Sequence, residues 1–234
     1  MHKIDTEKYI VSAREAGTEK AEDREEADRL KNYGWRNVSG PQRDEIMAYA
    51  EEYMSFLNAA KTEREAVKVI RRMAEERGFE EISKKESLKP GDRVYGVNKD
   101  KSMFLAVIGE EALTSGFHAV GAHIDAPRLD LKQNPLYEDS GFALFKTHYY
   151  GGIKKYQWTT IPLALHGVVV LTDGTKIDIC IGEDESDPVF LVTDLLPHLS
   201  AKQNVKKLAE GVPAEKLNIL LGSMPMPEAE SEND

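Results

Sequence analysis

Two periods of hydrophobicity run along this chain. Between Pro41 and Gly78 the apolar residues recur at three- and four-residue steps, the spacing of a helix face. Pro41 marks the first start, and Ile46, Tyr49, Tyr53, Phe56, Leu57 and Ala60 make one stripe. Thr62 and Glu65 then stand at capping-box spacing, Ala66, Val67, Ile70, Met73 and Ala74 form a second stripe, and Gly78 is placed to end it. Both helices are expected to pack on a sheet. After "LKPGD" the period drops to two: "RVYGV" and "SMFLAVIG" flank "NKDK" and predict a hairpin. In the next apolar run, "FHAVGAH", the part "AVGAH" is expected to be a buried strand that carries polar residues at its end. Helices followed by strands predict an α/β or α+β first domain.

From about Phe142 the pattern is mostly β. "FALFKTHYY", "IPLALHGVVVL", "TKIDICIG" and "PVFLVT" predict short strands, with Asp173-Gly174 closing a hairpin between two of them. "YYGGIKKYQW" joins the first two as a glycine-bearing loop with aromatic and basic residues. The two ends lack this patterning. Residues 1–34 read as a polar helical arm, since "SAREAGTEKAEDREEADRLK" has helix formers but few large apolar side chains. Residues 225–234 read as a disordered acidic tail.

Composition narrows the function classes. With 234 residues and 41% hydrophobic content the chain is long enough for a core. A net charge of −10 argues against nucleic acid as partner, because binding phosphates needs clustered Lys and Arg. No apolar stretch approaches a membrane span, and "MHKIDTEKYIVSAREAG" has no signal-peptide core, so no membrane partner and a cytoplasmic location are expected. The single cysteine, Cys180, excludes an intramolecular disulfide and is expected to be a small buried hydrophobe.

Candidate chemistry gathers at "GAHIDAPRLDLKQNPLY". In an extended chain residues two apart share a face, so His123 and Asp125 form one polar unit. A carboxylate that takes the second ring N–H of a histidine fixes the tautomer and makes the other nitrogen a better metal ligand. As a bare pattern His-x-Asp also describes ordinary hydrogen-bonded surface pairs.

Longer stretches add specificity. "VGAHIDAPRLDLKQNPLYED", "KTHYYGGIKKYQWTTIPLALHGVVV" and "VTDLLPHL" resemble the aspartyl aminopeptidase and aminopeptidase I family of zinc metallopeptidases, in its bacterial branch. The resemblance runs from about Trp35 onward. It implies an α/β catalytic domain, helices packed on a mixed sheet, interrupted by a β-rich insertion domain that makes dimer contacts within a dodecamer. On that reading residues 35–138 are the first part of the catalytic domain and 139–224 the insertion. It further implies a peptide substrate and two zinc ions in the complete enzyme, with cobalt or manganese as substitutes, His123 as a metal ligand, and Asp125 as its orienting catalytic carboxylate. His198 is the candidate substrate-binding residue, because in this family an insertion-domain histidine reaches a neighbouring subunit's site; the alignment leaves Lys202, about one helical turn on, as the competing position.

Members of that family are longer than this chain, and nothing after Glu138 matches their later motifs, which carry the bridging Asp, a Glu pair, a further carboxylate and a final His. Zinc typically needs about three or four protein ligands. The expectation is therefore an aminopeptidase that lacks most of its metal ligands and has little activity alone, or else a non-catalytic assembly module derived from such an enzyme. Apolar surface left uncovered is expected to drive association.

The remaining features have simpler expectations. His118 and His166 are expected to be hydrogen-bonded core or surface residues, and neither they, His148 nor His2 is expected to be a ligand. "GEDESDP" reads as a solvated turn. Arg128, Asp130 and Lys132 alternate along one side of an extended segment, as an exposed charge ladder.

Overall fold

The structure is a computed structural model that describes residues 34–224. The polar arm up to Tyr33 and the acidic tail from residue 225 lie outside the described residues. The chain divides into two compact units, 1–56 and 57–234.

The first helix, α1, spans Gly40–Ala59. A reciprocal cap precedes it: the Ser39 N–H donates to Gln42 Oε1 at 3.0 Å, and the Gln42 N–H donates to Ser39 Oγ at 3.4 Å. The predicted helix is present, but its predicted burial is not. No residue of α1 is buried, and Ile46, Tyr49, Tyr53 and Leu57 are exposed. A helix can be regular in its own backbone hydrogen bonds, whereas burying its stripe needs a facing surface, and the described residues of its own unit provide none.

Within the second unit, α2 spans Glu63–Glu76 and bears the predicted capping box. The Glu65 N–H donates to Thr62 Oγ1 at 3.3 Å, and the Thr62 N–H donates to Glu65 Oε2 at 2.9 Å. Its inner face buries Ala66, Val67 and Ala74, and Gly78, at φ 77°, follows the helix as expected. The helix lies against a three-stranded sheet in the order β1 (Glu80–Glu81), β2 (Arg93–Asn98), β3 (Ser102–Val107). The predicted hairpin is β2–β3, with Asn98 opposite Ser102. Positive φ at Lys99 and Asp100 gives the turn the twist that suits a tight hairpin.

Beyond residue 107 the predicted strand "AVGAH" does not form. Residues 116–127 are irregular, and Val120 is fully exposed at 101%. No strand among the described residues pairs with this run, so its backbone groups have no ladder to enter and its apolar side chains no face to cover.

The second sheet has the order β4 (Arg128–Asp139), β5 (Phe142–Tyr150), β9 (Ile219–Gly222), β8 (Leu191–Val192). β4 and β5 are antiparallel and joined at Ser140-Gly141, both with positive φ. In β4 the register slips around Pro135, where a missing N–H cannot serve the ladder. β9 was not legible as a strand, yet it lies at the centre of the sheet. Phe190, Val192, Val212, Leu217 and Ile219 form the buried cluster, with Phe145, Trp158 and Leu163 packed around it. A separate hairpin, β6 (Leu165–Val170) with β7 (Lys176–Ile181), turns at Asp173-Gly174 as expected.

Cys180 corrects an expectation. It is exposed, because in β7 Ile179 and Ile181 take the inner face and strand alternation sends Cys180 outward with Asp178. "GEDESDP" is the expected turn, tied by the Gly182 N–H to Asp187 Oδ2 at 2.8 Å and by Ser186 Oγ to Asp184 Oδ1 at 2.6 Å.

Candidate metal centre

His123 and Asp125 meet, although no strand carries them. His123 Nδ1 lies 2.9 Å from Asp125 Oδ1 and 3.3 Å from the Asp125 carbonyl oxygen. An ionised carboxylate only accepts, so Nδ1 carries a proton, and in the neutral ring Nε2 keeps the lone pair. The imidazole is 86% exposed, which leaves Nε2 open to solvent.

The second oxygen of Asp125 is also committed. The Tyr150 hydroxyl donates to Oδ2 at 2.9 Å. That hydrogen bond, chiefly, holds the Asp125 carboxyl below the usual carboxylate range against the opposing cost of desolvation. Reciprocally, Asp125 pushes the Tyr150 hydroxyl up.

Tyr150 closes β5 directly opposite Arg128, the first residue of β4. The Arg128 guanidinium stands 4.2 Å from the Tyr150 ring centroid, within cation–π range. Its Nε donates to Asp130 Oδ1 at 2.7 Å and its Nη1 to Glu63 Oε1 at 2.9 Å. Arg128 therefore links the first turn of α2 to both strands. The expected exposed ladder is instead half-buried and paired, and Lys132 reaches Glu215 at 2.6 Å. Gly151 follows at φ 76°, a conformation that turns the chain away beside Pro127 and suits glycine.

Tyr150, Arg128 and Glu63 were missing from the sequence-based site. Tyr150 stands in "THYYGG", where a strand ends at a glycine pair, but pairing it with Arg128 requires the strand register.

Other candidates lie elsewhere. His198 sits exposed in the turn before the short helix Ala201–Asn204, and among the described residues no hydrogen bond or ion pair links it to the His123–Asp125 pair. His166 is hydrogen-bonded as expected: Nδ1 to Glu65 Oε1 at 2.8 Å and Nε2 to Glu183 Oε1 at 3.0 Å, which leaves no ring nitrogen free. His148 stacks on Tyr149, and His118 is exposed. A cleft of about 580 Å³ with apolar walls that include Leu129, Phe145, Trp158 and Leu163 has Arg128 and His166 on its lining, but neither His123 nor Asp125.

The donor chemistry of His123 fits one coordination position of zinc, a borderline-soft ion that takes neutral imidazole. It fits no more than one. Among the described residues no three His, Cys, Asp or Glu side chains converge to hold an ion.

The family model described as aminopeptidase I zinc metalloprotease (M18) matches residues 56–234. A relative from Clostridium acetobutylicum, named probable M18 family aminopeptidase 1, is 49% identical over 209 residues, which cover 87% of this chain and 45% of that protein. The crystal structure of an M18-family aminopeptidase from Thermotoga maritima superposes with a TM-score of 0.76 at 44% identity over 84% of this chain and 42% of that one. Aminopeptidase I from Clostridium acetobutylicum gives a TM-score of 0.73 at 43% identity over 85% of this chain and 44% of that one. The chain thus spans less than half the length of the relatives it matches, and its mixed α/β fold is theirs over that span. By sequence and by fold, the chain belongs to the M18 family of aminopeptidase I zinc metalloproteases.

Proposed function

We propose that this chain contributes the first metal-holding arm of a zinc aminopeptidase, an enzyme that removes N-terminal amino acids from peptides. One observation carries the reading: His123 is held at Nδ1 by Asp125 and offers Nε2 to solvent. Zinc bound there would polarise a peptide carbonyl and acidify a bound water. The chain's own part is narrower. Asp125 fixes the tautomer, His123 presents one neutral donor, and the rest of the donor set for two ions comes from outside the described residues. On the family pattern residues 35–138 belong to the catalytic domain and 139–224 to an insertion that makes subunit contacts. His198 then serves a substrate in a neighbouring subunit, within a cytoplasmic homo-oligomer. Exposed Leu195, Leu196 and Leu199 beside His198 support a subunit contact there. No described helix is long and apolar enough to cross a membrane.

A second reading, a non-catalytic assembly module, draws on the lack of three convergent donors among the described residues. Zinc titration calorimetry and hydrolysis of an aminoacyl chromogenic amide with Zn²⁺, Co²⁺ or Mn²⁺ separate the two. The metal-arm reading expects zinc binding that His123→Ala removes, with little turnover by the chain alone. Equal binding by wild type and His123→Ala overturns it. Metal-dependent turnover that His123→Ala abolishes defeats the assembly-module reading.

A further inference from the structure

We infer that Tyr150, braced by Arg128, is a positioning residue that sets the tautomer and direction of His123. This rests on the reading of His123 as a metal arm, and it extends that reading to residues on two strands and a helix.

His123 and Asp125 lie in an irregular segment that no strand ladder holds. An exposed imidazole on such a segment exchanges freely between its two tautomers unless something fixes its partner. Two side chains hold the Asp125 carboxylate. Its Oδ1 serves His123, and its Oδ2 accepts the Tyr150 hydroxyl at 2.9 Å. Without the second bond the carboxylate turns about its Cα–Cβ and Cβ–Cγ bonds, and the oxygen facing Nδ1 loses its position. Tyr150 stands on β5, in a regular register opposite Arg128, so its hydroxyl is delivered from an ordered strand into the irregular segment.

The ring of Tyr150 is itself held. Arg128 lies over it at 4.2 Å and is clamped by Asp130 at 2.7 Å and Glu63 at 2.9 Å. Glu63 is the first residue of α2, whose start is fixed by the capping box. A continuous set of contacts therefore runs from a capped helix end through Glu63, Arg128, Tyr150 and Asp125 to the imidazole. Outer partners of a metal-binding histidine set ring orientation in this way, and losing one typically weakens metal binding by about 10–100-fold.

The test is Tyr150→Phe in the 234-residue chain, which deletes the donor but keeps the ring under Arg128. Long-range ¹⁵N–¹H correlation spectra of His123 report the tautomer directly, without any metal. The wild type is expected to show Nδ1–H as the dominant form. In Tyr150→Phe the Nδ1–H to Nε2–H ratio falls about 10-fold or more, the range of one hydrogen bond to a charged acceptor. Zinc affinity falls by a similar factor, and unfolding midpoints stay within those of surface substitutions, which a structural role would not predict. Arg128→Ala shifts the ratio in the same direction by removing the brace. An unchanged ratio in Tyr150→Phe overturns the inference. If the ratio shifts but His123→Ala binds zinc as wild type does, the positioning role stands and the metal-arm reading falls.

Discussion

Leu217→Ala tests whether the small cluster beneath β9 is the main anchor of the second unit. Leu217 is 1% exposed and sits among Phe190, Val192, Val212 and Ile219. Truncation removes about three methylene equivalents at about 0.8 kcal/mol each, or roughly 2.4 kcal/mol of transfer free energy. A cavity term of about 24 cal/mol per Å³ adds to this wherever the walls fail to close. Here the walls are tied. Phe190 bridges to Leu163, Val192 bridges to Thr159, and Ile219 pairs with both Phe145 and Val192. The backbone at 217 is pinned too, since buried Thr147 donates its hydroxyl to the Leu217 carbonyl. With little room to collapse, the loss should reach about 3–4 kcal/mol, in the upper part of the usual range of about 2–5. Urea unfolding followed by circular dichroism should show a lower midpoint at an unchanged slope. Val205→Ala, at a side chain 85% exposed, is the control and should move stability by less than about 0.5 kcal/mol. A loss below about 1 kcal/mol in Leu217→Ala would refute the view that this cluster is rigidly packed.

Three further outcomes follow from the same geometry. Thr62→Ala should cost about 1 kcal/mol in urea unfolding by removing the cap of α2, and Glu65→Ala more, because Glu65 also holds His166; equal costs would separate His166 from the helix start. The Tyr95 hydroxyl donates to Glu75 at 2.6 Å and its pKa is pushed up to about 12 from 10.0, chiefly by that hydrogen bond. The protonated phenol is the stabilised form, so its contribution is complete below pH 10 and is lost as pH rises toward 12; thermal midpoints of wild type and Tyr95→Phe should converge over that window, and parallel curves would contradict it. Exposed Phe117 and Val120 should make the chain self-associate, and light scattering should show oligomers that Val120→Asp reduces; a sharp monomer peak from the wild type would count against this.

Sequence and structure agree where the signal is local. The Thr62/Glu65 cap, the end of α2 at Gly78, the hairpin around "NKDK" and the turn at Asp173-Gly174 each depend on a few adjacent residues, and each formed as read. The same holds for the His123–Asp125 contact, which two-residue spacing makes available even without a strand. Long resemblance added the family. Burial was less legible. The α1 stripe and "AVGAH" have the right apolar content, but burial is a relation between surfaces, and the described residues of its own unit give neither a partner.

What the sequence determined by itself was thus the set of local elements, the family and the contact between His123 and Asp125. The tertiary structure decided which residues stand behind that pair. Counting back from the turn at Ser140-Gly141, where Asp139 faces Phe142, an unbroken ladder would set Tyr150 opposite Leu131. The slip between Leu131 and Leu136 inserts three extra residues in β4, since five steps there face two on β5, and it brings Arg128 opposite Tyr150 instead. An odd shift also exchanges the faces of a strand. The size of a bulge is set by how both strands pack and by which backbone groups find partners, and no local residue pattern encodes that sum.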